Sequence, residues 1–152
     1  AVSSLVVGQR ELFIRWGNGA DKTGILSVTD ENGTEVVRRS LDSENDYTLV
    51  ENLAPGTTYH VALLKSDDAV LWKDDVKTKS VTGKFPLLKY QQVDGYMLVQ
   101  LLNLPDDVSS YKVKLDGQEI NIVNKNLNGQ ILTAEVTYKD GSVEMLSTTI
   151  RK

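Results

Sequence analysis

The sequence predicts an all-β protein built from two tandem antiparallel β-sandwich domains. Short runs of alternating apolar and polar residues recur along the 152-residue chain, and turn-forming residues separate them at the spacing typical of a sandwich. No stretch shows convincing helical periodicity. A polar passage containing Gly83 and Pro86 interrupts the pattern, so we predict one domain over 1–82 and a second over 83–152.

The composition is that of an ordinary globular protein, with 40% hydrophobic and 25% charged residues. The net charge of −4 and the lack of a dense Lys/Arg stripe disfavour a nucleic acid or an anionic membrane surface as partner. The absence of cysteine removes disulfides, thiolate metal sites and cysteine nucleophiles. No apolar run reaches the ~20 residues of a transmembrane helix, and no signal-peptide pattern opens the chain. We therefore expect a mature protein or part of a longer polypeptide.

Seven short strands are predicted in the first domain. Turn signals such as Gly17-Asn18-Gly19 and Asp30-Glu31-Asn32-Gly33 separate them. In the second strand, Leu12, Ile14 and Trp16 share the face that we expect to be buried, which is typical of a half-buried strand. The predicted strands cover residues 2–7, 11–16, 24–29, 34–41, 47–50, 58–63 and 69–79.

A corner precedes the sixth of these strands. Pro55 and Gly56 favour a tight turn, and an alternating strand that carries Tyr59 follows directly. A tyrosine that enters a sandwich strand can form a hydrogen bond between its hydroxyl and a backbone group a few residues upstream. Such a bond holds the crossover between the two sheets, so we expect Tyr59 to have a structural role.

The first 80 residues resemble the fibronectin type III family. The matching features are Trp16 in the second strand, the corner Leu53-Ala54-Pro55-Gly56-Thr57-Thr58-Tyr59 and the closing Val76-Lys77-Thr78. The resemblance implies two packed antiparallel sheets, with Trp16 in the core and Tyr59 bonded back towards Leu53. No Arg-Gly-Asp loop occurs, so the integrin-binding role of some family members is not implied.

The second domain is also predicted from strands alone. Its three hairpins are centred on Asp94-Gly95, Asp116-Gly117 and Lys139-Asp140-Gly141. Each of the six strands has one apolar face, and those faces must meet in a sandwich or a small barrel. We assign an immunoglobulin-like or fibronectin-like sandwich, on pattern and without a family motif. The predicted strands cover residues 87–93, 96–102, 111–115, 118–123, 130–138 and 142–150.

An internal duplication has little support in the sequence. Leu101–Asp106 faintly resembles Val50–Pro55, but the order of the elements around the two segments differs. A small second domain of about 69 residues buries only ~60% of the surface that its unfolded chain exposes. We therefore expect it to depend on its neighbour for part of its stability.

The polar motifs are each better explained by structure than by chemistry. His60 is the single histidine, on the outward face of its strand, without an acid and a nucleophile nearby in the sequence. The run Asp42–Asp46 resembles the start of a calcium loop but lacks the glycine and the distal glutamate, so we expect solvated turns there. Gly17-Asn18-Gly19 lacks the spacing of a phosphate-binding loop. We predict no catalytic residue, no metal site and no cofactor. The same expectation of solvated turns holds for the acidic pairs Asp67-Asp68, Asp74-Asp75 and Asp106-Asp107.

Three aromatic residues, Trp72, Tyr90 and Tyr96, are the candidate contacts for a ligand or a partner. Trp72 lies early in the last strand of the first domain, where it can contact a partner, stack on a sugar ring or pack against the second domain. Trp72, Tyr90 or Tyr96, with nearby Asp and Asn, is a candidate for an aromatic carbohydrate-binding platform. This hypothesis requires at least one of the rings to be exposed.

These observations favour a non-enzymatic function. We expect a pair of modules from a secreted or cell-surface protein that acts as a spacer, an adhesion element or a protein-interaction element, with a protein or glycan partner. This step is an analogy at the level of the fold. Two alternatives stay open: a carbohydrate-binding module, and accessory domains of a larger extracellular enzyme or virion protein.

Overall fold

The computed structural model describes residues 2–16, 24–41, 44–125, 127 and 129–151. Every helix or strand among these residues is a β-strand, and every strand pair is antiparallel. The chain divides into two compact units, Ala1–Val81 (unit 1) and Thr82–Lys152 (unit 2). The predicted all-β class with two antiparallel sandwiches is confirmed. Within the described residues we find no helix of a length and hydropathy that would span a membrane.

Unit 1 is a sandwich of a three-stranded and a four-stranded sheet. The first sheet has the order β1-β2-β5 and the second the order β4-β3-β6-β7. The chain therefore changes sheet after β2, after β4 and again after β5. Within the described residues, the strands of unit 1 are β1 (Val2–Val7), β2 (Leu12–Trp16), β3 (Ile25–Thr29), β4 (Glu35–Ser40), β5 (Tyr47–Val50), β6 (Thr58–Leu64) and β7 (Val70–Lys77).

The core of unit 1 forms where the inward faces of the two sheets meet. In β6, Tyr59, Val61 and Leu63 are buried while His60 is exposed, because successive side chains of a strand point to opposite faces. Burying each large apolar side chain contributes about 1.5 to 3 kcal/mol relative to leaving it exposed. The buried cluster contains Leu12, Ile14, Trp16, Leu26, Val28, Leu41, Val50, Leu53, Tyr59, Val61, Leu63 and Val76.

The strand β2 is buried on both faces, so the prediction of a half-buried strand was wrong for its outer face. Phe13 is 0% exposed although it alternates with the core residues Leu12 and Ile14. Its ring stacks on that of Tyr47, with 5.8 Å between the ring centroids. As the middle strand of its sheet, β2 lies between β1 and β5, and the aromatic pair covers its outer side.

Unit 2 repeats the sheet order of unit 1. Its sheets have the orders β12-β9-β8 and β11-β10-β13-β14, which match β5-β2-β1 and β4-β3-β6-β7 strand for strand in chain order. The described strands are β8 (Leu87–Val93), β9 (Tyr96–Leu102), β10 (Val108–Leu115), β11 (Gln118–Ile120), β12 (Val123–Lys125), β13 (Ile131–Tyr138) and β14 (Val143–Thr149). Leu101–Asp106 begins at the end of the second strand of unit 2, whereas Val50–Pro55 begins at the end of the fifth strand of unit 1. The faint sequence likeness of these segments therefore does not mark the repeated plan.

The predicted strand 118–123 is two strands that belong to different sheets. Gln118–Ile120 pairs with β10, whereas Val123–Lys125 pairs with β9. Ile120 and Ile122 both pack against the core of unit 2, and the next residue, Val123, is itself buried. The carbonyl oxygen of Ile122 already accepts the N–H of Val99 in β9 over 2.9 Å, so the chain changes sheet between Ile120 and Ile122.

The two Asp-Gly hairpins of unit 2 have the predicted turn geometry. Asp94 and Gly95 have φ values of 48° and 81°, and Asp116 and Gly117 have 47° and 86°. Positive φ at both central residues is the requirement of the tight turn that matches the twist of two antiparallel strands. The turns therefore set the register of β8 with β9 and of β10 with β11.

Candidate functional site

The corner before β6 is held by side chains from two strands. The backbone N–H of Ala54 donates to the hydroxyl oxygen of Tyr59 over 2.9 Å, so the tyrosine is the acceptor of this bond. On the other side, the hydroxyl of Thr78 donates to the carbonyl oxygen of Ala54 over 2.6 Å and accepts the N–H of Thr57 over 2.9 Å. The N–H and the carbonyl oxygen of Ala54 are thus both held in place.

Leu53 and Gly56 complete this corner. Leu53 is 4% exposed, and its N–H donates to the carbonyl oxygen of Arg10 over 2.9 Å, which joins the corner to the start of β2. Gly56 has a φ of 61°, a conformation that glycine adopts without steric cost. Sequence reasoning singled out the tyrosine but not the two hydrogen bonds of Thr78, since an alternating pattern does not show which hydroxyl faces the corner.

The packed sheets and the tyrosine corner of unit 1 identify the type of sandwich. In unit 1, two antiparallel sheets pack around Trp16, and Tyr59 is bonded back to the residue after Leu53. These are the features that the sequence resemblance implies, and unit 2 has the same sheet order. The chain has a fibronectin type III-like fold. In unit 2, β13 takes the place that β6 has in unit 1. It begins with Ile131 and Leu132, so it has no counterpart of Tyr59.

Comparisons with solved structures find proteins that are similar to this chain at low identity. A two-domain fibronectin type III segment of chicken tenascin is 15% identical, with 99% of both chains covered and a TM-score of 0.42. The central fibronectin III array of RIM-binding protein is 18% identical over 99% of this chain and 63% of that chain, with a TM-score of 0.33. Fibronectin(III)-like modules of Clostridium thermocellum CbhA are 11% identical over 99% of this chain and 93% of theirs, with a TM-score of 0.32. No protein-family model and no curated protein matches the chain.

Most of the acidic residues that suggested calcium ligands hold turns or ion pairs. Asp46 accepts hydrogen bonds from Nε and Nη2 of Arg15 over 3.1 and 2.9 Å, and Asp68 pairs with Arg38 over 2.6 Å. Asp67 accepts the N–H of Ala69 in a turn. Asp42 and Ser43 of the acidic run, like Gly17-Asn18-Gly19, lie outside the described residues. Among the described residues, no group of three or more acidic or imidazole side chains is placed to hold a metal ion.

His60 is an exposed strand residue with one acidic neighbour. Its Nδ1 lies 2.6 Å from Oδ1 of Asp75, which faces it across β6 and β7. Both side chains are largely in solvent, with 48% and 71% exposure. An exposed pair of this kind contributes at most about 1 kcal/mol, and its geometry is that of a surface contact on the outer face of the sheet.

The three predicted contact residues lie in different surroundings. Trp72 is half-buried and packs against the core cluster of unit 1. The hydroxyl of Tyr90 accepts the N–H of Arg151 over 2.6 Å and donates to the carbonyl oxygen of Thr149 over 3.2 Å. Tyr96 is 4% exposed, and the ammonium nitrogen of Lys125 lies 5.0 Å from its ring centroid. Packing covers the ring of Tyr96, so this ring is not the exposed one that the carbohydrate-platform hypothesis requires.

Unit 1 contains a cavity of about 200 Å³. Its lining includes Trp16, whose indole Nε1 is buried and has no hydrogen-bond partner among the described residues. Arg39 donates from Nη1 to Oγ1 of Thr48 over 2.8 Å and to the carbonyl oxygen of Leu49 over 2.9 Å. Because Nε1 is closed to solvent, a molecule in the cavity would not reach the indole donor. The lining residues are Trp16, Arg39, Ser40, Leu41, Asn45, Tyr47, Thr48 and Leu49.

One tyrosine of unit 2 has a perturbed ionisation. The hydroxyl of Tyr138, at the end of β13, donates to Oε1 of Glu144 on β14 over 2.6 Å. This hydrogen bond to a carboxylate raises the pKa of Tyr138 from 10.0 to about 12. The neutral phenol is the form that the folded state favours. The stability from this contact is therefore present below pH 10 and is lost as the pH rises through about 12.

We expect Glu144→Gln to lower the pKa of Tyr138 back towards 10.0, because the amide keeps an acceptor but removes the negative charge. Absorbance titration of the tyrosinate band in the folded protein measures this change. The tyrosine titration step near pH 12 should move to lower pH in this variant. Glu119→Gln in the same unit is the control and should leave the curve unchanged. An unaltered step near pH 12 in Glu144→Gln would contradict the assignment.

Proposed function

We propose that this chain is a non-enzymatic pair of fibronectin type III-like modules from a secreted or cell-surface protein, and that it acts as a spacer or a protein-interaction element. The observation that carries the proposal is the use of one sandwich plan in two consecutive compact units. Each unit has its own buried cluster. Tandem sandwiches of this kind suit a modular surface protein, since each module adds length without needing a site of its own.

The hydrogen bonds and ion pairs of the polar side chains support the same function. The side chains that a catalytic or metal-binding hypothesis would need are engaged in holding strands and loops together. Arg15 and Asp46 join β2 to the loop before β5, and Tyr59 and Thr78 hold the corner. Hydrogen bonds that hold loops to strands make a module rigid, which is what a spacer requires.

The aromatic residues do not favour the carbohydrate-binding alternative. Tyr96 is buried, the hydroxyl of Tyr90 is bonded to backbone groups, and Trp72 packs on its own core. A protein partner is therefore the partner we propose. The accessory-domain alternative assigns the same mechanical role within a larger polypeptide.

A stretching experiment tests the spacer function. We expect the full chain, pulled from its two ends in a single-molecule force instrument, to unfold in two separate steps, one for each of the units Ala1–Val81 and Thr82–Lys152. At ~3.4 Å per extended residue, the steps should release about 270 Å and about 240 Å of chain before subtraction of the folded lengths.

Two outcomes would contradict this proposal. Extension without a resolved rupture would mean that the units do not hold their length under load. A single step that releases the whole chain would mean one merged core in place of two modules. A variant with a weakened core in unit 2 is the matched control, because it should lower the force of the shorter step only.

A further inference from the structure

The sheets of this protein end in strands that are mostly protected against pairing with another chain. An edge strand has unpaired backbone N–H and C=O groups, and charges, irregular register or shortness prevent other strands from adding to it. The edge strands β4 and β7 have charged residues, β1 has a register shift, β8 has Lys89, and β5, β11 and β12 are three or four residues long. The charges on β4 and β7 include Glu35, Arg38, Arg39, Lys73, Asp74, Asp75 and Lys77.

The edge strand β14 has one charged residue, Glu144, whose carboxylate accepts the hydroxyl of Tyr138 over 2.6 Å, and it otherwise lacks these features. It has seven residues and pairs with β13 without a register shift. Its outward side chains are uncharged, and two of them are apolar and exposed: Val143 at 57% and Met145 at 58%. Across the ladder, Met145 faces Glu135, whose carboxylate is already paired with Lys114 over 3.0 Å. The outer side of this edge therefore has two exposed apolar side chains and two uncharged polar ones, Ser147 and Thr149, beside the paired charges of Glu135 and Lys114.

In β14, the backbone N–H and C=O groups of alternate residues point away from β13, towards the edge of the sheet. The carbonyl oxygen of Ser142 accepts the N–H of Tyr138, and the N–H of Ile150 donates to the carbonyl oxygen of Gln130, so the even-numbered residues bond to the side of β13. In an antiparallel ladder, the residues between them direct their N–H and C=O groups the other way. Those residues are Val143, Met145, Ser147 and Thr149.

At both ends of β14, the backbone groups are already engaged in hydrogen bonds within the chain. At the far end, Tyr90 engages the carbonyl oxygen of Thr149 and the N–H of Arg151. At the near end, the hairpin turn begins before Val143, where Ser142 donates both its N–H and its hydroxyl to Asp140. The open stretch is therefore Val143–Ser147, and Met145 lies at its centre.

We propose that β14 pairs with the β14 of a second copy of this chain, antiparallel and centred on Met145. In this register, Met145 lies opposite Met145 of the second copy, and Val143 lies opposite Ser147 of the second copy. Glu144 lies opposite Leu146 of the second copy, so no like charges meet. The pairing continues the four-stranded sheet of unit 2 into the sheet of the other molecule.

The association is weak and depends on concentration, because a contact one strand wide buries less area than a stable dimer needs. Weak pairing of this kind suits surface proteins that are held at high local concentration. The proposal goes beyond the spacer function and does not depend on it. A chain that stays monomeric can still unfold under load in two steps.

Cysteine trapping tests the pairing and its register, since the chain has no cysteine of its own. We expect Met145→Cys to form a disulfide-linked dimer in oxidised glutathione, because directly opposite residues in an antiparallel pair have Cα atoms ~5.5 Å apart. Val143→Cys is the matched control, with 57% exposure against 58%. It should form little dimer, because the two Val143 residues are four positions out of register. Equal cross-linking of both variants, or none in Met145→Cys, would overturn the proposal.

Sedimentation of the full chain across micromolar to millimolar concentrations gives an independent measurement. We expect the wild type to shift towards dimer as the concentration rises, and Met145→Lys to remain monomeric, because a charge at the centre of an edge blocks pairing. Val70→Lys on β7 is the control, with the same 58% exposure as Met145, and should behave as the wild type. A monomeric wild type at every concentration would show that another partner, or none, occupies this edge.

Discussion

Replacement of Leu132 by alanine is expected to destabilise unit 2 by about 3 kcal/mol, because a buried leucine leaves a cavity as well as losing its transfer free energy. Leu132 is 0% exposed and lies on β13, between β10 and β14, in the centre of the core of unit 2. A unit of this size has a total stability of about 4 to 10 kcal/mol. The variant should therefore lose a large part of it.

Chemical denaturation followed by two signals measures this loss. Both tryptophans, Trp16 and Trp72, are in unit 1, so tryptophan fluorescence reports on that unit, whereas circular dichroism reports on both. We expect Leu132→Ala to lower the midpoint of the dichroism transition of unit 2 and to leave the fluorescence midpoint unchanged.

Ile131→Ala is the matched control for this substitution. Ile131 precedes Leu132 in the same strand but is 48% exposed on the opposite face, so its loss should change the stability by less than about 0.5 kcal/mol. Equal effects of the two substitutions would contradict the assignment of the core face. A shift of the fluorescence midpoint in Leu132→Ala would show that unit 1 depends on unit 2.

Features that depend on neighbouring residues in the chain could be predicted from the sequence. Alternation in β6 places Tyr59, Val61 and Leu63 inside and His60 outside, because the side-chain period of a strand is two. Asp94-Gly95 and Asp116-Gly117 predict tight hairpins because few other residues tolerate positive φ. These local rules were sufficient for the class of the fold and for most of the strands.

Features that depend on distant residues could not be predicted in this way. Phe13 is on the outward face of β2 by alternation, yet Tyr47, more than thirty residues later, covers it. Tyr96, a candidate contact residue in the sequence, is buried, with Lys125 of the neighbouring strand β12 over its ring. The change of sheet after Ile120 follows from which core each apolar side chain meets. Contacts of this kind are set by the packing of the sheets.

The corner of unit 1 depends on both neighbouring and distant residues. Substitutions of Thr78 and Tyr59 measure how much its hydrogen bonds contribute to stability. We expect Thr78→Val to destabilise unit 1 by about 2 kcal/mol, because Ala54 loses a donor to its carbonyl oxygen and the N–H of Thr57 loses its acceptor. Thr78 is 2% exposed, so water does not readily replace the hydroxyl. Tyr59→Phe should cost about 1 to 2 kcal/mol, because the N–H of Ala54 loses its acceptor.

The midpoint of the fluorescence transition reports both effects, and Thr78→Ser is the control. Serine keeps the hydroxyl and loses one methyl group, so it should cost about 0.8 kcal/mol and no more. Because Thr78 and Tyr59 hold opposite sides of Ala54, the double variant should differ from the sum of the single ones by at least about 0.5 kcal/mol. Strict additivity would mean that each bond holds the corner by itself. Coupling would mean that Tyr59 and Thr78 hold the corner as one structural unit. The sequence pattern identifies the tyrosine of this unit but not the threonine.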